Sequence, residues 1–253
     1  MDTGRRPNWA RPLSRGAGVY LGMLLQDKIA VIYGARGAIG GAVAKAFADE
    51  GATVVDAHVD ALDEAAIDAH LQSLERVDIS FNAIGLEDAV GIPFTELDAD
   101  RFALPIHTYT TSYFLTARLA ARRMLPNKSG VIMTVTALPA RTGTPLNGGY
   151  GAAQAAKEQL TRDLSLELAP HGIRVVGLRP HGLPETGTMR EVFENKPRGM
   201  SWEEFQTYLA GTSHPRRTQT LAEVASAAAF LASDGASGFT GTTVNMTMGF
   251  VAD

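Results

Sequence analysis

The sequence predicts an α/β domain built as a doubly wound parallel sheet with helices on both faces. Three observations carry that class. Short apolar runs alternate with segments of helical spacing from residue 28 to the end. The middle runs are apolar throughout, as parallel strands buried on both faces are. The first run closes on a glycine that opens a helix, the usual entry to such a sheet.

In chain order, "KIAVIYG" (28–34) reads as the first strand. "AIGGAVAKAFADEGA" (38–52) follows as a helix, with Ile39, Val43, Ala46 and Phe47 on one face and Gly51 at its end. "TVVDAHV" (53–59) is a strand and "LDEAAIDAHLQSL" (62–74) a helix. "VDISFNAIG" (77–85) and "GVIMTVTA" (130–137) are buried strands. "GYGAAQAAKEQLTRDLSLELAPHG" (149–172) is a long helix running into the strand "IRVVGLRP" (173–180). "LAEVASAAAFLASD" (221–234) is a helix and "TTVNMTMG" (242–249) the last strand. No linker or repeat interrupts the series, so residues 24–253 read as one domain. Ligands of such sheets sit beyond the carboxyl ends of the strands. The loops after Tyr33, Asn82, Ala137 and Arg179 are therefore expected to meet at one site.

Composition narrows the function. The chain has 253 residues and a formal net charge of -4, which gives no basic face for nucleic acid. It has no cysteine, which excludes disulfides and thiolate chemistry and suits a reducing cytoplasm. No run reaches the roughly 20 apolar residues of a membrane helix. Residues 1–23 differ from the rest, with Arg5, Arg6, Arg11 and Arg15 against Asp2 alone, and read as a flexible basic arm. The apolar run at 19–25 is short and lacks a small-residue cleavage site, so it is not read as a secretory signal.

Five pieces in order carry a family resemblance: "YGARGAIG", "FNAIG", "GVIMTVTA" followed by Tyr150, "LAPHGIRVVGLRP" and "FLASDGASGFTGTTVN". On these the chain resembles the short-chain dehydrogenase/reductase family from about Leu24 to its end. The resemblance implies a Rossmann-like sheet, NAD or NADP as cofactor, a small-molecule substrate and a homodimer or homotetramer. It implies cofactor contacts at Gly34, Arg36, Ile39, Gly40, Asp60, Asn82, Ala83, Gly85, Pro180, Gly182 and Thr186. It gives residues 187–217 as a variable segment covering the substrate, in which Trp202 and Phe205 line a pocket or pack the lid. The chain departs from the family's glycine pattern at Tyr33 and Ala38, the second of which puts a methyl where a phosphate approaches.

Two departures matter more. Asp60 follows Ala52 after eight residues, where the family has about 30, so a whole β-α unit is missing. Residues 53–59 should then close up beside the first strand and leave the sheet one strand smaller. Asp56, 22 residues after Gly34, is an alternative ribose-binding acid. The second departure is chemical. The family uses a tyrosine as acid-base, a lysine four residues later and a serine thirteen residues before. Here these positions hold Tyr150, Gln154 and Ala137.

A unit charge about 4 Å from a phenolate contributes about 4 kcal/mol at an effective dielectric of 20, or about three pKa units. A glutamine amide supplies none of it. Lys157 has the tyrosine-to-lysine spacing of the enoyl reductases, a divergent branch of the family. The downstream register sets it about 10 Å along the helix from Tyr150, and it reads as a solvated or interface lysine. Thr136 is expected to face away from the serine position, Tyr109 to replace an asparagine, and His181 to be solvated or hydrogen-bonded. The sequence thus predicts an oxidoreductase-like protein with doubtful carbonyl and alcohol activity. The alternative is an inactive homologue acting as a binding or oligomer-partner subunit.

Overall fold

A computed structural model describes residues 23–85, 91–195 and 199–252. The basic arm lies almost wholly outside the described residues. The fold is a six-stranded sheet, every pair parallel, in the order β2-β1-β3-β4-β5-β6. The strands are β1 Ile29–Tyr33, β2 Thr53–Asp56, β3 Ile79–Asn82, β4 Gly130–Val135, β5 Ile173–Pro180 and β6 Thr242–Met246. The helices are α1 Ala38–Asp49, α2 Glu64–Gln72, α3 Ala99–Met124, α4 Tyr150–Leu168, α5 Gly187–Asn195, α6 Trp202–Thr212 and α7 Leu221–Ala232.

The missing unit has the predicted consequence. β2 pairs directly with β1, Ile29 opposite Thr53 through Ile32 opposite Asp56. It is shorter than the seven residues expected, because only Ala57 N continues the ladder, onto Ile32 O, before the chain turns away. β2 is therefore the rim of the sheet, and its first residue is exposed.

Strand alternation divides the core between the two faces. Ala30, Ile32, Phe81, Met133, Val176 and Leu178 pack against α1 and α7. Val31, Tyr33, Ile132, Val175 and the α3 residues Tyr113 and Leu119 form the other side. Fully burying each large apolar side chain contributes roughly 1.5–3 kcal/mol.

Caps fix where several helices begin. Asp63 accepts from Ala66 N ahead of α2, and Asp98 from Arg101 N ahead of α3. Ser201 with Glu204 and Thr220 with Glu223 form reciprocal capping boxes for α6 and α7. No side chain caps α1 or α4, and both of those amino ends face the carboxyl edge of the sheet.

Candidate active site

The turns after Tyr33, Asn82, Val135 and Pro180 follow adjacent strands and share that edge. Gly34 opens the first turn at φ +81°, and a Cβ there would stand 2.6 Å from the Ala83 carbonyl oxygen. A Cβ on Gly40 would overlap the Gly34 carbonyl oxygen, so α1 can approach β1 only with glycine at that point. Gly37 N donates to Gly34 O at 3.0 Å and holds the turn. The free N–H groups and dipole at the start of α1 make a seat for an anion. Ala38 is exposed at the helix's first residue, so its methyl stands on the face that a phosphate would cross.

Beside this turn is a cleft of about 340 Å³ whose lining includes Gly34, Arg36, Asp56, His58, Val59 and Ile84. Asp56 ends β2 and lines it. Asp60 does not; its carboxylate accepts from Leu62 N at 2.9 Å in an exposed turn. Ile39 packs half-buried on the core of the α1 side. Asn82 donates to Thr116 Oγ1 at 3.1 Å, and its Oδ1 is buried with no partner among the described residues. Ala83 N donates to Tyr33 O at 2.9 Å, and a Cβ on Gly85 would meet nothing within 4 Å among the described residues.

The acid-base positions lie to the other side. Ala137 is extended just past β4 and Tyr150 is the first residue of α4. A Cβ on Gly149 would overlap Phe102 O of α3, so the glycine lets α4 start close against α3. Tyr150 thereby meets Tyr109 edge-on, centroids 5.6 Å apart. Gln154 lies one turn further, 2 % exposed, with Oε1 unpartnered among the described residues.

Lys157 corrects the expectation of a solvated side chain. It is 1 % exposed and donates to Val135 O at 2.7 Å. The rings of Tyr109 and Tyr113 stand 5.7 and 5.8 Å from its ammonium. Burial lowers its pKa to about 7. The cause is register: Gln154, Lys157, Glu158, Thr161 and Ser165 repeat at helical spacing on the face that α4 turns inward. Lys157 therefore binds the backbone of the strand end.

Next to it Glu158 accepts from Arg179 Nε at 2.7 Å, both side chains almost fully buried. Thr136 donates to the same carboxylate at 3.2 Å and lies 3.3 Å from Leu178 O, which engages it away from the serine position. Arg141 approaches the other Glu158 oxygen at 3.7 Å.

Beyond β5, Gly182 packs near Met189 and Leu209, and Thr186 accepts from Met189 N while donating to Leu183 O. His181 is buried and hydrogen-bonded. Thr212 spends its hydroxyl proton on Leu209 O, so it accepts from His181 Nε2 at 3.0 Å. Burial lowers the His181 pKa. Trp202 and Phe205 pack with Phe193, and Arg190 lies 4.1 Å over the Trp202 ring, so α5 and α6 are joined by an aromatic cluster.

Sequence reading missed the Glu158–Arg179 pair and the contacts of His58 with Asp56, 2.7 Å away, and Arg36. The first had a signal, two consecutive charges on the inward face of α4. The second had none, because it depends on β2 lying next to β1. A larger cavity of about 480 Å³ opens at the opposite edge, but its Lys28 pairs with Asp234 and its Arg174 caps α7 through Leu231 O and Ser233 O. Among the described residues no cluster of His, Asp or Glu could hold a metal ion, and no helix is long and apolar enough to cross a membrane.

A glycine turn under a helix end, an acid closing the neighbouring strand and a tyrosine heading α4 thus share the carboxyl edge of one parallel sheet. A family model described as enoyl-(acyl carrier protein) reductase matches residues 55–251. The chain belongs to the short-chain dehydrogenase/reductase family.

It is similar to the uncharacterized oxidoreductase YxbG of Bacillus subtilis (strain 168), 30% identical over 90% of this chain and 92% of the relative. Secoisolariciresinol dehydrogenase of Forsythia intermedia is 28% identical over 83% of this chain and 84% of its own. Two solved structures share the fold. A gluconate 5-dehydrogenase of Burkholderia cenocepacia J2315 in complex with NADP and tartrate has TM-score 0.80 at 23% identity, covering 90% of this chain and 96% of that one. NAD+-bound xylitol dehydrogenase has TM-score 0.81 at 23% identity, covering 89% and 99%.

Proposed function

We infer that the chain binds a nicotinamide dinucleotide and a small-molecule substrate, and that it interconverts ordinary carbonyls and alcohols weakly. One observation carries the reading. At the family's lysine position stands Gln154, neutral and buried, while the nearest lysine, Lys157, is tied to Val135 O beneath the site. The residues fit the cofactor. Gly34 and Gly40 let α1 start close against the turn after β1, which leaves an amino end without a side-chain cap at the carboxyl edge, and Gln154 Oε1 is a buried acceptor without a partner among the described residues. The named relatives and the NADP- and NAD+-bound neighbours support a nicotinamide cofactor through the family.

Gly34, Gly37 and the start of α1 would hold the phosphates, Asp56 the adenosine ribose, and Gln154 the hydroxyls of the nicotinamide ribose. The nicotinamide supplies hydride exchange when bound. Tyr150 is then the group that gives or takes the substrate proton. It does so without the ammonium that favours a tyrosinate, and Ala137 offers no hydroxyl to orient the substrate oxygen. A homo-oligomer through α3 and α4, with Phe114 and Leu166 exposed, and a cytoplasmic setting belong to the same reading.

The test is calorimetric titration of NAD(H) and NADP(H), with turnover of a ketone and alcohol panel. Binding with slow turnover is expected. Robust wild-type turnover that Tyr150→Phe abolishes would overturn the weak-activity reading. No binding of either dinucleotide would favour a binding or oligomer-partner subunit.

A further inference from the structure

One buried carboxylate is shared by three segments at the carboxyl edge, and the dinucleotide reading gives it no task. Glu158 Oε1 accepts from Arg179 Nε at 2.7 Å and from Thr136 Oγ1 at 3.2 Å. Its other oxygen lies 3.7 Å from Arg141 Nε. The Arg179 and Glu158 side chains are 2 % and 3 % exposed.

Strand alternation brings these groups together. Val135 and Leu178 pack on the α1 and α7 side of the sheet. Thr136 and Arg179, each one residue further, therefore turn to the side that α4 covers. Glu158 stands on the inward face of α4, two turns beyond Tyr150 and about 12 Å along the axis.

Each partner leads into the site. Thr136 directly precedes Ala137, and Arg179 directly precedes Pro180, His181 and Gly182. Arg141 follows the short turn Leu138–Ala140, which seats on the start of α4: a Cβ on Gly151 would stand 3.1 Å from Pro139 O. Thr136 N donates to Leu178 O at 2.7 Å, so the backbone already holds the exits of β4 and β5 to each other. Lys157 ties α4 to the end of β4 through Val135 O, and Glu158 reaches both exits. Apolar residues of similar volume commonly stabilise a fold as well as a buried ion pair does. Stability alone thus does not require a carboxylate here, whereas holding both strand exits to one helix does.

We propose that Glu158 is a positioning residue, whose carboxylate ties the exits of β4 and β5 to α4 and so sets the nicotinamide half of the site against Tyr150 and Gln154. This rests on the dinucleotide reading above and deepens it. The adenosine half, at the turn after β1 and the end of β2, lies outside the tie.

The experiment compares wild type with two variants. In Glu158→Leu with Arg179→Met, apolar groups replace the pair and leave no buried charge unpaired. Thr136→Val removes one bond to the carboxylate, keeps the ion pair and carries the test alone if the first variant does not fold. NADH or NADPH, whichever binds wild type more tightly, is titrated beside its adenosine half, ADP-ribose or 2′-phospho-ADP-ribose. Deuterium exchange is followed at the amides of Thr136 and Val131, which donate to Leu178 O and Asp78 O at opposite ends of β4. The dinucleotide dissociation constant is expected to rise about tenfold in the double variant and about threefold in Thr136→Val, with the fragment within about twofold of wild type. The Thr136 amide is expected to exchange about tenfold faster in the double variant, with Val131 unchanged. Equal changes for dinucleotide and fragment, or none for either, overturn the proposal, because a merely structural role moves both alike. If neither ligand binds wild type, the dinucleotide reading fails and the Thr136 amide decides: faster exchange in the variants upholds the tie, and unchanged exchange overturns it.

Discussion

The two halves of the carboxyl edge have diverged by different routes. On the side of β1 and β2 a whole unit of backbone is gone, yet the turn geometry persists: Gly34 keeps its positive φ, α1 keeps an uncovered amino end, and an acid still closes the strand. On the side of β4 and α4 the backbone is complete, and the departures from the family pattern are single side chains, Ala137 and Gln154. On the reading proposed above, a binding surface made of main-chain groups survives a deletion that closes up cleanly. On the same reading, a proton-transfer site made of side-chain groups is weakened by two substitutions.

The comparison breaks most visibly if the acid-base half is repaired. Gln154→Lys with Ala137→Ser returns an ammonium and a hydroxyl, and turnover with the preferred cofactor is expected to rise about a hundredfold or more. An unchanged steady-state rate would place the fault in the dinucleotide half. The converse test damages that half. Gly34→Ala forces a Cβ to 2.6 Å from a backbone oxygen at φ +81°. We expect a loss of stability of about 1–3 kcal/mol in chemical denaturation, with loss of dinucleotide binding.

Lys157 sharpens the comparison through pH. Burial brings its folded pKa down to about 7 from the ordinary lysine value of 10.5. Between those values the unfolded chain binds a proton that the folded chain lacks, so stability rises with pH across this window. The cost of the buried amine is full below pH 7 and absent above about 10.5. Lys157→Met should therefore stabilise the protein, by an amount on the order of 1–3 kcal/mol, more at pH 6.5 than at pH 9.5. Equal gains at both pH values in urea denaturation would show that the amine is charged throughout.

The smallest effect is expected at the surface. Arg217 and Glu223 form a close ion pair, and the guanidinium holds the carboxyl far below its usual range. Both groups are largely solvated, so Arg217→Ala should cost less than about 1 kcal/mol, measurable as a minor shift in thermal midpoint.

The strands were legible in the sequence because each apolar run is long enough to be buried on both faces. The loss of a unit was legible as a distance, eight residues from Ala52 to Asp60. Ala137 and Gln154 were legible as departures from the family pattern through their spacing from Tyr150. Lys157 was misread because a charged letter argues for solvent, and only the packing of α3 shows that position 157 turns inward. The Arg36–His58–Asp56 chain was out of reach because its members come from two loops that meet only when β2 takes the slot beside β1.

The exposed rim has a consequence for motion. β2 offers one of its two edges to water and is only four residues long. Its hydrogen bonds to β1 should open in local fluctuations that leave the rest of the sheet intact. Asp56 and His58 sit at the end of that strand, so each such opening also dismantles the cleft. A ligand that binds only the closed form draws the strand shut by mass action. The amides of Thr53 and Ala57, which donate to Lys28 O and Ile32 O of the neighbouring chain segment, should then exchange with deuterium more slowly as dinucleotide is added, making the rim of the sheet a gauge of occupancy.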